Sequence, residues 1–158
     1  MDAKVVNTYL KGLTSVMGPL GMEIERTNID VNELPYADPQ ARIVSQLSGE
    51  AEGDIIISMA EETFMKLLES FSIPPEMVDD SMKQSILTEF GDMVRGHAIT
   101  GFQTSGLPIQ FQKVDLVSNV YPPESDSLPQ RKSLCVSMIA NNQYPLHIHF
   151  VLDHLYRK

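Results

Sequence analysis

Ser85-Ile86-Leu87-Thr88-Glu89-Phe90-Gly91-Asp92-Met93-Val94-Arg95-Gly96-His97-Ala98 divides cleanly in two when it is wound as an α-helix at about 100° per residue. Ile86, Leu87, Phe90, Met93, Val94 and Ala98 fall on one broad arc, and Ser85, Thr88, Glu89, Asp92, Arg95 and Gly96 on the other. Ser85, Glu89 and Asp92 are spaced i, i+4, i+7, so they project along a single line. Gly96 continues that line one turn later. The apolar arc predicts a long helix over about Val78 to Phe102 that lies on a core with its polar side outward. A glycine inside such a helix costs up to about 1 kcal/mol against alanine. At Gly96 it permits close approach of another backbone, from a partner or from within the domain.

Before this helix, apolar residues at Val5, Val6, Tyr9, Leu10, Leu13, Val16 and Met17 recur at helical spacing. Gly18-Pro19 ends that first helix. Met22 to Ile29 reads as a strand, and Asn32 to Gln40, with two prolines, as a loop. Ala41 to Leu47 and Asp54 to Met59 read as strands around the turn-forming Ser48-Gly49-Glu50-Ala51-Glu52-Gly53. Glu61 to Phe71 is a second helix, with acidic residues in its first turn as the helix dipole prefers. Ile73-Pro74-Pro75 breaks the chain.

After the long helix, strands are expected at Ile109 to Val117, Ser133 to Ala140 and Leu146 to Asp153. A polar, proline-rich loop spans Tyr121 to Pro129, and Asn141-Asn142 marks a hairpin turn. The order is helix, three strands, short helix, then helix, three strands. This is one unit used twice, and Gly21-Met22-Glu23-Ile24 echoes Gly106-Leu107-Pro108-Ile109. The fold class is therefore α+β: two pseudo-repeated helix plus three-strand units in a single domain, with a mainly antiparallel sheet and helices packed on it.

A chain of 158 residues that is 42% hydrophobic and 21% charged can bury a proper core. No apolar run approaches the roughly 20 residues needed to span a bilayer, and the start Met1-Asp2-Ala3-Lys4 has no secretory pattern. A cytoplasmic location without membrane insertion is expected. The net charge of −9 disfavours nucleic acid and anionic membranes as partners, and the one basic cluster, Arg131-Lys132, is short. The single cysteine, Cys135, lies in an apolar run and reads as a small buried hydrophobe rather than a nucleophile.

Taken alone, Glu89 and Asp92 describe an ordinary solvated helix face. In Leu146-His147-Ile148-His149-Phe150-Val151-Leu152, alternation sends Leu146, Ile148, Phe150 and Leu152 to the core and His147 and His149 to the other face. That His pair, with Asp153 and His154 nearby, reads as a wet strand face or a sheet-mediated dimer contact, with zinc binding the lesser alternative and no metal site expected. His97, at the edge of the apolar arc, reads as a packing or capping group. No GxSxG, Walker A, CxxC or GxGxxG motif is present, so conventional hydrolase, nucleotide-binding and redox readings have no foothold.

The pattern Ser85-x-x-x-Glu89-x-x-Asp92 resembles the signature of the CheC and CheX phosphatases of bacterial chemotaxis, which is Asp or Ser, three residues, Glu, two residues, Asn. Glu89 to Gly96 looks like that family's motif helix, Leu47 to Met59 like its strand-turn-strand, and Glu61 to Met65 like the helix start that follows. With one motif, in the second half, the resemblance is closer to CheX than to two-site CheC proteins. It implies a phosphatase acting on a phosphorylated, CheY-like response regulator, with no cofactor of its own, the magnesium ion belonging to the partner. It implies that Glu89 docks against a lysine of the regulator, that Asp92 takes the place of the water-orienting Asn, and that Ser85 and Gly96 support the contact. It further implies a homodimer joined edge to edge through its sheets. Asp92 departs from the family's Asn, and the same fold acting as a non-catalytic module that docks a regulator, flagellar or receptor partner is the alternative. In the first half, Asn7 falls where a counterpart of Asp92 would stand and Lys4 where one of Glu89 would, so that half reads as structural.

Overall fold

The computed structural model describes residues 2–32, 41–49, 53–116 and 133–152. The loops expected over 33–40 and over Tyr121 to Pro129, the turn residues 50–52, Arg131-Lys132, Asp153 and His154 lie outside the described residues.

The elements are α1 (Asp2–Met17), β1 (Ile24–Asn32), β2 (Ala41–Gly49), β3 (Gly53–Met59), α2 (Glu61–Ser70), α3 (Asp80–Thr104), β4 (Ile109–Leu116), β5 (Ser133–Ala140) and β6 (Tyr144–Leu152), with a 3-10 turn at Pro75–Met77. This is the order the sequence predicts. Several boundaries move by two or three residues, two of them for evident reasons. β1 begins at Ile24 and runs on through Asn32, because its whole length finds ladder partners from Ala140 to Ser133 on β5. α3 begins at Asp80 because Asp79 caps it, its carboxylate accepting a hydrogen bond from Met82 N at 2.8 Å.

The six strands form one antiparallel sheet in the order β1-β5-β6-β3-β2-β4. Exchanging the two halves of the chain, β1 with β4, β2 with β5 and β3 with β6, turns this order into itself read backwards. The repeat inferred from the sequence is thus a two-fold relation centred on the β3–β6 pair. Both helix exits obey it. Met22 N bonds Met17 O at 3.0 Å and Leu107 N bonds Phe102 O at 2.9 Å, with Gly21 (φ 81°) and Gly106 (φ 72°) in the left-handed region that only glycine enters freely. The residue after each glycine, Met22 or Leu107, is buried and starts the chain toward its strand.

The central strands explain the core. Ile55, Ile57 and Met59 of β3 stand opposite Phe150, Ile148 and Leu146 of β6 and face the helices. Tyr9 of α1 meets Phe150 edge-on, with ring centroids 5.7 Å apart. Burial pushes the Tyr9 phenol far above its ordinary range. Phe90, Val94, Ala98 and Phe102 of α3 and Phe64, Leu67 and Leu68 of α2 complete the cluster.

α1 and α3 run antiparallel and touch almost backbone to backbone. A Cβ built on Gly12 would lie 3.0 Å from Ala98 N and 3.2 Å from Ala98 Cα, and one on Gly101 would lie 2.9 Å from a methyl of Thr8. The close approach expected at Gly96 is therefore made inside the domain by Gly12 and Gly101. Gly96 is exposed, with nothing within 4 Å of where its Cβ would be.

The β5–β6 turn is as predicted: Asn141 (φ 52°) and Asn142 (φ 58°) are both left-handed, and Gln143 N bonds Ala140 O at 3.0 Å. Asn141 also ties this turn to the entry of β1, accepting from Glu23 N at 2.9 Å and donating to Gly21 O at 3.0 Å. Alanine at this site loses both side-chain bonds, each worth about 1 kcal/mol, and adds about 1–2 kcal/mol of left-handed strain. Asn141→Ala is therefore expected to lower unfolding free energy by at least about 2 kcal/mol, read as a reduced urea midpoint at unchanged slope.

Candidate functional site

α3 presents the line predicted for it. Its apolar side, Ile86, Leu87, Phe90, Val94 and Ala98, is buried, while Ser85, Glu89, Asp92 and Gly96 are exposed. Ser85 donates to Ser81 O at 3.2 Å and Thr88 to Gln84 O at 2.8 Å, so both hydroxyls bond to the preceding turn. The backbone beneath the line is rigid: it is the middle of a 25-residue helix held on both sides, by α1 and by β4 and β2.

One partner on this line escaped the sequence reading. Arg95 Nη2 lies 3.4 Å from Asp92 Oδ1, an i, i+3 pair with Asp92 45% exposed and Arg95 33% exposed. At that exposure the pair contributes little to stability. Its effect is local: it places positive charge beside the Asp92 carboxylate. The signal was present in the sequence as an acid three residues before an arginine on one helix face.

The histidine pair of β6 corrects an expectation. His147 is half-buried, but His149 is 2% exposed, so the strand's second face is not wet at this position. The reason is register. β6 is an inner strand, and His149 stands between Ile56 of β3 and Cys135 of β5, both buried. Its Nε2 lies 3.4 Å from the hydroxyl of Ser58, and its ring stacks on His147 with centroids 6.3 Å apart. Among the described residues no group of three or more His, Cys, Asp or Glu could hold a metal ion. Cys135 is buried as expected, and burial, with Asp30 adding to it and a Ser137 hydrogen bond opposing, pushes its thiol up and away from thiolate reactivity.

His97 is exposed rather than packed against the core; what packs there is its backbone, opposite Gly12. Its side borders a groove of about 1330 Å³ between α1 and α3, which also takes in Lys4, Asn7, Lys11, Arg26 and Gly96. The groove was not predicted. Its lysines are spaced i, i+7 on α1, the signal that would have found them. Among the described residues no helix is long and apolar enough to cross a membrane.

The chain matches no protein-family model and no curated protein sequence. Solved structures do match it. A CheC-like superfamily protein from Shewanella sp. PV-4 superposes with a TM-score of 0.76 at 18% identity, covering 97% of this chain and 99% of that one. The fold is that of the CheX and CheC-like chemotaxis proteins. CheX from Desulfovibrio desulfuricans gives a TM-score of 0.71 at 12% identity over 94% of this chain and 99% of its own. CheX from Borrelia burgdorferi, solved as a complex with CheY, BeF3 and magnesium, gives 0.69 at 18% identity over 93% and 96%. This CheX-like fold carries Ser85, Glu89 and Asp92 on its longest helix, facing solvent and away from the core.

Because these three side chains make no core contact, Ser85→Ala, Glu89→Ala and Asp92→Asn are each expected to change unfolding free energy by no more than about 0.5 kcal/mol in urea denaturation. A larger loss in any of them would assign that residue to the scaffold.

Proposed function

We propose that this chain is a CheX-like phosphatase that dephosphorylates a phosphorylated, CheY-like response regulator. The observation that carries the proposal is the exposed Ser85–Glu89–Asp92 line on a rigid helix, in a fold shared with a CheX that was solved bound to CheY. The reaction is hydrolysis of an aspartyl-phosphate. Water attacks phosphorus in line, the bond from phosphorus to the aspartyl oxygen breaks, and the carboxylate of the regulator leaves. Such a transfer needs little covalent chemistry from the protein and gains most from positioning and charge. Magnesium and the phosphorylated carboxylate are the regulator's, so the chain needs no cofactor of its own.

Glu89 is assigned to docking against a cation of the regulator, and Ser85 and Gly96 to the surrounding contact. At Gly96 the absence of a side chain lets the regulator's surface come close to α3. Asp92 is assigned to the attacking water. A carboxylate accepts hydrogen bonds and can take the water's proton as a general base. It also repels an anionic phosphoryl group by roughly 1–4 kcal/mol at about 4 Å, depending on how much water remains. Arg95, 3.4 Å away, offsets that repulsion.

Asp92 also favours a second reading. Where the resembling signature has an amide that donates and accepts, this chain has a group that only accepts, which suits a module that docks a regulator without catalysis.

The test is phosphate release from a magnesium-bound, phosphorylated CheY-type regulator. Acceleration is expected with the native chain, a loss of at least about tenfold with Glu89→Ala, since truncating one side of a desolvated charge pair costs 2 kcal/mol or more, and a loss of up to about fivefold with Arg95→Ala. If the native chain is silent and Asp92→Asn is active, the docking reading stands in its place. Silence from every variant removes the phosphatase.

The homodimer is likewise a proposal. β1 and β4 are the two sheet edges, and their open backbone groups suit pairing with a second copy. Light scattering is expected to give twice the monomer mass; a monomer at high concentration refutes the dimer.

A further inference from the structure

The groove between α1 and α3 is a basic feature in a chain whose net charge is −9. Lys4, Lys11 and Arg26 border it, and no Asp or Glu does. Lys4, Asn7, Lys11 and Ser15 are spaced i, i+3, i+7, i+11, so they form one line along the groove side of α1. Arg26 joins from β1, opposite Met138 in the ladder and therefore on the helix-bearing side of the sheet.

The two-fold relation of the halves gives this line a meaning. The match that lays Gly21 on Gly106 and Met22 on Leu107 also lays Lys4 on Glu89, Asn7 on Asp92, Lys11 on Gly96 and Gly12 on His97. Gly12 and His97 do meet backbone to backbone, as two positions on a two-fold axis must. The first half thus carries the same line with its charge reversed: an ammonium replaces the Glu89 carboxylate, and a neutral carboxamide replaces Asp92.

The walls decide the class of occupant. They are mostly helix sides, whose amides beyond the first turn of α1 are committed to the helical ladder. The hydroxyls of Thr14, Thr100 and Thr104 donate to the carbonyls one turn back, at 2.9, 3.2 and 2.9 Å. A compact phosphate ligand is usually held by converging backbone N–H groups, and none converge here. What remains are separated cations on long stems, which match charges spread along an extended chain. Lys4 Nζ donates one bond to Ser105 O at 2.9 Å, which fixes the ammonium at the groove's end with two donors left for a ligand.

We propose that the α1–α3 groove docks an acidic, carboxylate-rich segment of a partner protein. The site adjoins the Glu89–Asp92 line, with which it shares Gly96, but does not depend on the phosphatase reading, since its test contains no regulator.

A fluorescein-labelled peptide of alternating Glu and Ser, titrated with the full chain, tests it by anisotropy. Saturable binding is expected at low salt, weakening as added salt shortens the screening length. Lys4→Gln with Lys11→Gln is expected to raise Kd at least about tenfold. Lys66→Gln with Lys83→Gln, which removes equal charge outside the groove, is expected to change it less than about twofold. In the native chain, peptide addition should shift the backbone amide resonances of Lys11, Gly96 and Thr100, a readout that needs no variant to fold. Four results overturn the proposal: no binding by the native chain, equal losses in the two charge pairs, equal binding of a Lys-Ser peptide, or capture of ATP at these resonances with no response to the peptide.

Discussion

The contact on which this structure depends is that of α1 with α3 at Gly12. The two helix backbones meet there so closely that a Cβ on Gly12 would lie 3.0 Å from Ala98 N, a contact that a methyl group could make only if the helices gave by a few tenths of an ångström. Two helices this close form one layer, and that layer covers Ile55, Ile57, Ile148 and Phe150 on the innermost strands. Thr8 against Gly101 and Lys4 against Ser105 extend the same antiparallel contact. With α3 held along its buried side in this way, its polar line cannot rotate into the core. The precision of Glu89 and Asp92 as a pair is thus set by a glycine in the other half of the chain. If they hold a water against phosphorus as proposed, these side chains benefit from that arrangement, since small misplacements there are costly in rate.

Much of this was legible in the sequence, and the reasons are specific. The period of Ile86, Phe90, Val94 and Ala98 is long enough to fix both helix and phase, so the exposed line followed without ambiguity. The echo of Gly21-Met22 in Gly106-Leu107 was readable because a left-handed helix exit requires glycine. Strand order was not readable, since ladders join residues far apart in the chain. His149 illustrates the consequence. Alternation placed it correctly on the face opposite Phe150, but its burial comes from Ile56 and Cys135, neighbours that only the register brings beside it. Gly96 illustrates another limit: sequence shows that a helix contains a glycine, and only packing shows that Gly12 and Gly101 make the close contact. The basic groove stayed hidden because Lys4, Lys11 and Arg26 come from two elements and look scattered in a chain dominated by acids.

The chemistry assigned to α3 is economical in what it asks of the protein. In the proposed reaction the bond that breaks, its metal and its leaving group would all come with the partner, so a helix face would suffice where an independent phosphatase needs a pocket. Asp92 with Arg95 at 3.4 Å is this chain's own variation on that theme. The arginine does little for folding at such exposure, and its value lies in the field it sets where a phosphoryl group would sit.

The sheet order β1-β5-β6-β3-β2-β4 has a further consequence, for how the molecule is made. Neither half owns a complete set of neighbours: among the described residues β1 bonds only to β5, and β4 only to β2. As the chain leaves the ribosome, β2 and β3 can pair as soon as they emerge, but β1 must wait without its strand partner until Ser133–Ala140 arrives, some hundred residues later. Ladders closed over such separations are slow to form, and unpaired strands are prone to wrong partners meanwhile. The interleaving of the two similar halves makes them inseparable, so that the first can finish folding only when the second is present.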